Sequence, residues 1–131
     1  MKNYFEKKTR FSNFFCVAGT PIAHSKSPVI HTLFGEGVNL ELTYEKVEVS
    51  SGCLGVAIEQ FKKAGGIGMN VTVPLKEEAF DIADDQSDRA IKAGAANTLC
   101  FKDGRIVADN TDGSGIVRDL KLNNSITLEG K

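Results

Sequence analysis

The sequence predicts an α/β fold: a mixed, mainly parallel sheet with helices on both faces. Apolar runs of strand length alternate with stretches of helical periodicity along most of the chain. Thirteen glycines against three prolines punctuate these stretches as tight turns, and the pair Asp103-Gly104 marks a two-residue hairpin. Parallel strands need a crossover element between them, which the alternation supplies, and the hairpin adds an antiparallel pair. A length of 131 residues, with 41% hydrophobic and 25% charged, fits one core.

Residues 1–13 read as a polar leader and residues 14–18 as the first buried strand. A loop over 19–27 leads to a helix that Ser27 caps and Pro28 opens, with Ile30, Leu33 and Phe34 on its inner face and Gly35 and Gly37 ending it. Residues 42–49, β-branched and aromatic, form a strand. Ser50 and Ser51 introduce a helix striped by Leu54, Ile58, Phe61 and Ala64, stopped by Gly65 and Gly66. A buried strand over 67–73 follows, then a helix from Pro74 to Ala83 and a short one over 87–93 closed by Gly94. The hairpin joins strands over 98–102 and 105–108, and a last helix opens near Thr111-Asp112 with Ile116, Val117 and Leu120 turned inward.

Composition excludes several function classes. Sixteen Lys+Arg against seventeen Asp+Glu, with a net charge of -1 and no run of five like charges, make neither a nucleic-acid surface nor a polybasic membrane patch. No stretch approaches ~18 apolar residues, the length of a membrane span. Lys2, Lys7, Lys8 and Arg10 ahead of 14–18 echo a signal peptide, but that apolar run is too short. Cys16, Cys53 and Cys100 are odd in number and far apart, so they form no zinc pair and no disulfide framework, and a reducing cytoplasm is expected.

Four segments carry groups with chemistry. In Gly19-Thr-Pro-Ile-Ala-His-Ser-Lys-Ser-Pro28 a strand end enters a helix amino terminus, where free N–H groups favour an anion. Ser25 and Ser27 place two hydroxyls there; taken alone, Ser27 reads equally as a cap and His24 as a loop hydrogen-bonding residue. In Met69-Asn-Val-Thr-Val-Pro-Leu-Lys-Glu-Glu78, Lys76 occupies a first helical turn, where the dipole disfavours a cation and where Glu77 and Glu78 are expected. A solvated lysine and a proton donor aimed into a cleft both fit that position, and Asn70 and Thr72 share the corner. Gly94-Ala-Ala-Asn-Thr98 and Asp109-Asn-Thr-Asp-Gly113 lie at junctions between elements. There Asn97 and Asp112 read either as a turn former and an N-cap, or as a hydroxyl-binding amide and a carboxylate partner for Lys76. Gly66-Ile-Gly68 and Gly113-Ser-Gly115 begin like a dinucleotide fingerprint, but Val71 and Arg118 occupy the third glycine position.

Taken together and in this order, Ala18-Gly-Thr-Pro-Ile-Ala-His-Ser-Lys-Ser-Pro, Asn70-Val-Thr-Val-Pro-Leu-Lys, Gly94-Ala-Ala-Asn-Thr-Leu and Asn110-Thr-Asp-Gly resemble the amino-terminal signatures of the shikimate dehydrogenase family, from Phe14 to about Leu122. The resemblance implies NADPH-dependent, reversible reduction of 3-dehydroshikimate to shikimate in aromatic amino-acid biosynthesis. It implies that Ser25 and Ser27 bind the substrate carboxylate, that Thr72, Asn97 and Asp112 hold ring hydroxyls, and that Lys76 with Asp112 forms the catalytic pair.

The family continues into a Rossmann domain with its own Gly-rich loop, then returns through terminal helices that add a Gln and commonly a Tyr. None of these is in the sequence. The expected organisation is therefore a leader (1–13), a shikimate-binding catalytic domain (14–110), and an interdomain helix with the start of a linker (111–131) to an NADP-binding domain outside this chain. The chain is expected to be the substrate-binding part of a longer enzyme, inactive alone, with NADP(H) held elsewhere and no metal. Expected partners are shikimate or 3-dehydroshikimate and, through an apolar surface left for the terminal helices, a second copy. A quinate/shikimate dehydrogenase with NAD use, and a stand-alone module that binds a hydroxylated carboxylate without turnover, are the competing readings.

Overall fold

The computed structural model describes residues 1–5 and 13–130; residues 6–12 of the stretch read as leader, and Lys131, lie outside the described residues. The elements run β1 (Phe14–Gly19), α1 (Ser27–Gly37), β2 (Thr43–Glu48), α2 (Leu54–Lys63), β3 (Gly66–Val71), α3 (Lys76–Asp81), β4 (Asp85–Gln86), α4 (Asp88–Ala93), β5 (Thr98–Lys102), β6 (Arg105–Asp109) and α5 (Asp112–Leu122). The strands form one sheet in the order β2-β1-β3-β5-β6-β4. β1 is parallel to β2 and β3, and β4 to β6, whereas β5 is antiparallel to β3 and β6. The mixed, mainly parallel sheet is as expected. Asp103 and Gly104 both take positive φ, 51° and 75°, the conformation a two-residue hairpin with the strand twist requires.

One face of the sheet carries the core. Phe14, Cys16 and Ala18 of β1 and Met69 and Val71 of β3 pack with Leu54, Ile58 and Phe61 of α2, all buried. The Phe61 ring lies 4.8 Å from Phe14 and 5.0 Å from Phe5, so a residue of the leader stretch belongs to this cluster. A Cβ on Gly66 would overlap the Phe61 ring, which makes glycine necessary at that contact. Phe15 and Tyr44 point to the opposite face, where with Phe34 of α1 they line an apolar groove of about 470 Å³.

Several expectations are corrected. α1 turns Ile30, Leu33 and Phe34 to solvent, and α5 buries no residue, with Ile116 62% exposed. Each helix meets the rest of the described residues over less than its full apolar arc. α1 also runs through Gly35 and Gly37; Gly35 is buried, and a Cβ there would sit 2.6 Å from the Leu40 carbonyl oxygen, so the close packing requires glycine. β3 ends at Val71, leaving Val73 exposed, and α3 begins at Lys76 and ends at Asp81 rather than spanning Pro74 to Ala83. The Leu75 N–H bonds the Thr72 carbonyl at 2.9 Å, closing a turn across Val73 and Pro74 before the helix starts. Ser50 and Ser51 do not cap α2. Glu78 accepts from the Gly52 and Leu54 N–H groups instead, at 2.9 and 3.0 Å. β4 was not expected, being two residues long and too short to show a period.

Candidate active site

The loop after β1 and the turn after β3 are tied by their backbones. Thr20 N–H donates to the Val73 carbonyl at 3.1 Å and Thr72 N–H to the Ala18 carbonyl at 2.9 Å. Gly19 permits this approach, since a Cβ there would lie 2.9 Å from the Val73 oxygen and collide with the Thr72 side chain. The first two signature segments are thereby held side by side at the carboxyl ends of neighbouring parallel strands, where open α/β sheets bind ligands. Ile22, buried, anchors the loop, and Ser25 N–H bonds the Ile22 carbonyl at 3.0 Å.

Ser27 is not the helix cap. It is the first helical residue after Lys26, and its N–H donates to the Ser25 hydroxyl at 3.3 Å. Both serines are half-buried and stand together at the start of α1, which adds its free N–H groups. Such a set suits an oxyanion. His24 beside them is exposed.

The remaining segments converge on Asp112. Lys76 Nζ donates to Asp112 Oδ2 at 2.6 Å, and Asn97 Nδ2 donates to Asp112 Oδ1 at 2.9 Å, so each carboxylate oxygen has its own donor. The backbone enforces the meeting: Ala96 N–H bonds the Lys76 carbonyl at 2.8 Å, and Asn97 N–H bonds the Asp109 carbonyl at 3.1 Å. Asn97 also accepts from Thr111 N–H at 3.1 Å and donates to the Thr111 hydroxyl at 2.9 Å. Asn110, buried, donates to the Ala95 carbonyl at 3.0 Å and accepts from Asp112 N–H at 3.1 Å. Lys76 and Asp112 remain open to solvent, with side chains 32% and 47% exposed. An ion pair this open adds at most ~1 kcal/mol to stability, so its fixed geometry serves the site more than the fold.

Among the described residues, Ser25, Ser27 and Thr72 make no direct side-chain hydrogen bond to the Lys76, Asp112 and Asn97 group. Thr72 stands at the end of β3, between the serine loop and Lys76. The structure adds residues the sequence reading passed over: Tyr44, Thr98, Thr111, and Arg89 with Asp109. Asp109 accepts from Arg89 and, at 2.6 Å, from the Ser87 hydroxyl, and these bonds hold its carboxyl down at about 2. The polar run Asp109-Asn-Thr-Asp112 at a strand-to-helix junction was the available signal.

Gly66 and Gly68 lie inside β3, and Gly113 and Gly115 inside the exposed helix α5, so neither pair forms the strand-to-helix turn of a dinucleotide fingerprint. No group of side chains among the described residues is arranged to hold a metal ion, and no helix is long and apolar enough to cross a membrane.

With this geometry in view, the comparisons are specific. Residues 17–99 match the family described as the shikimate dehydrogenase substrate binding domain. The chain is 49% identical over 120 residues to the shikimate dehydrogenase (NADP(+)) of Dechloromonas aromatica, covering 92% of this chain and 44% of that protein. It is 52% identical over 117 residues to the shikimate dehydrogenase (NADP(+)) of Chromohalobacter salexigens, covering 88% and 43%. Among solved structures, the shikimate 5-dehydrogenase of Thermus thermophilus in complex with shikimate superposes with a TM-score of 0.84 at 36% identity, covering 92% of this chain and 46% of that one. The chain thus spans less than half the length of these relatives.

Proposed function

The chain belongs to the shikimate dehydrogenase substrate-binding domain family, and from that premise we propose that it binds 3-dehydroshikimate and shikimate and handles the proton in their NADP-dependent interconversion. The observation that supports this most is the ammonium of Lys76, held 2.6 Å from one oxygen of Asp112 while Asn97 occupies the other. Reduction of a ring carbonyl places negative charge on its oxygen. An ammonium beside that oxygen stabilises the charge and then gives up a proton: an N–H bond of Lys76 breaks, an O–H bond forms, and the lysine is left neutral. Asp112 orients the ammonium, and with Asn97 and Thr72 it presents acceptors and donors to ring hydroxyls. Ser25 and Ser27 hold the carboxylate, at a distance from the reacting carbon. Three free thiols accord with a cytoplasmic setting.

The test uses a chimera in which this chain replaces the matched segment of the Dechloromonas aromatica relative, assayed by NADPH oxidation with 3-dehydroshikimate. Lys76→Ala is expected to lower kcat by ~10²–10⁴ while KM stays within a few-fold, because the ammonium is needed most where charge develops. Ser25→Ala with Ser27→Ala is expected to raise KM more than it lowers kcat. Near-normal turnover by the Lys76 variant would remove the proton-donor assignment, and an unchanged KM in the folded double variant would remove the carboxylate one.

A further inference from the structure

A series of side-chain hydrogen bonds runs from Tyr44 to the Lys76–Asp112 pair. At its start the Tyr44 ring stacks on His31, whose Nδ1 is bonded to the Ser27 carbonyl. Tyr44 in turn donates to Asn70 Oδ1 at 2.6 Å, and Asn70 Nδ2 donates to the Thr98 hydroxyl at 3.3 Å and to the Asn97 carbonyl at 3.3 Å. The Thr98 hydroxyl donates to Asn97 Oδ1 at 2.9 Å, and Asn97 Nδ2 donates to Asp112, the partner of Lys76. From Tyr44 to Asp112 every donor points the same way, and Asn70, Thr98 and Asn97 each both accept and donate.

We propose that Tyr44 is a positioning residue that holds the Lys76–Asp112 pair in place through Asn70, Thr98 and Asn97. The meaning of that pair rests on the function proposed above; the series itself does not. Three features make Tyr44 suited to the role. Its ring is fixed, stacked on His31 at 4.3 Å and 16°, and His31 is itself bonded to the Ser27 carbonyl at 2.9 Å. Burial pushes the phenol's pKa up, so at neutral pH it is protonated and able to donate. Finally, Asn70 is half-buried, and without the phenol its amide loses the acceptor bond that sets its orientation, which in turn sets Thr98 and Asn97.

Two readouts test this. In the 131-residue chain, Tyr44→Phe is expected to shift the side-chain amide NMR signals of both Asn70 and Asn97, although Asn97 has no hydrogen bond to Tyr44. Thr98→Val is expected to shift Asn97 likewise, and Thr98→Ser, which keeps the hydroxyl, to leave it near its original position. An unmoved Asn97 amide in either folded variant, Tyr44→Phe or Thr98→Val, overturns the series whatever the protein binds. In the chimera, Tyr44→Phe is expected to lower kcat about three- to tenfold, the worth of one neutral hydrogen bond, while KM stays nearly unchanged. An unchanged kcat would show that Tyr44 acts only as packing and would overturn the positioning role. A chimera without activity while the amide shifts occur as expected would place the failure in the proposed function.

Discussion

Asp109 stands three positions before Asp112 and ties down the turn that presents it. Arg89 reaches it with two guanidinium nitrogens, Asn110 N–H bonds it at 2.8 Å, and the same guanidinium extends to the Ser114 hydroxyl at 3.2 Å on α5. The bonds from Arg89, then Ser87, favour the charged carboxylate and lower its pKa from 3.8 to about 2. A lowered folded-state pKa means stability present above the unfolded value and lost as pH falls through the folded one. Wild type is therefore expected to melt at a higher temperature than Asp109→Asn at pH 7, with the gap closing below pH 3.8 and gone near pH 2. A gap that persists unchanged to pH 2 would assign the loss to shape and not to charge. Lys76 was legible in the sequence because a cation in a first helical turn opposes the dipole. The Arg89–Asp109 pair was not, since twenty residues separate its members and a list of charges does not say which ones meet.

The helices divide by where their caps come from. α4 is capped as its sequence suggests, with the Ser87 hydroxyl accepting from Ala90 N–H at 3.2 Å and Gly94 closing it at φ 61°. α2 has no such local cap, and the Glu78 carboxylate of α3 accepts from outside the N–H of Leu54, its first residue, and that of Gly52 just before it. Glu78→Ala is expected to destabilise the protein by ~1–2 kcal/mol, read as a lower urea midpoint at unchanged slope, because the N–H groups of Gly52 and Leu54 lose a charged acceptor at the positive end of the α2 dipole. An unmoved midpoint would show that water replaces Glu78 without loss. α5 depends on polar contacts at its first turn, through Asp112, Thr111 and Ser114, and buries nothing along its length.

For the chain as a unit, the α2 face of the sheet forms a core of buried apolar side chains, while α1 and α5 leave Leu33, Phe34 and Ile116 exposed. The purified chain is expected to unfold cooperatively, to bind shikimate weakly, and to oxidise no NADPH in the presence of 3-dehydroshikimate. The first follows from the single connected core. The last follows from the placement of Gly66 and Gly68 inside β3 and of Gly113 and Gly115 inside α5, where they form no strand-to-helix turn to hold the nucleotide beside the ring. Calorimetric titration with NADPH and a coupled assay check it: saturable NADPH binding, or turnover above blank, would contradict it.

What the sequence set was mostly local. The hairpin at Asp103-Gly104, the Ser87 cap, the α2 stripe of Leu54, Ile58 and Phe61, and the four signature segments depend on groups a few residues apart, and their chemistry can be read in order. Strand order, the Glu78 cap, the outward turn of α1, the Arg89–Asp109 pair and the series from Tyr44 to Asp112 depended on packing. Each joins groups many positions apart, and such meetings are decided by which apolar faces bury one another and which backbones the sheet brings side by side. The meeting of Lys76 with Asp112 belongs to both: the residue types named it as an open possibility, and backbone hydrogen bonds from Ala96 to Lys76 and from Asn97 to Asp109 brought the two within reach.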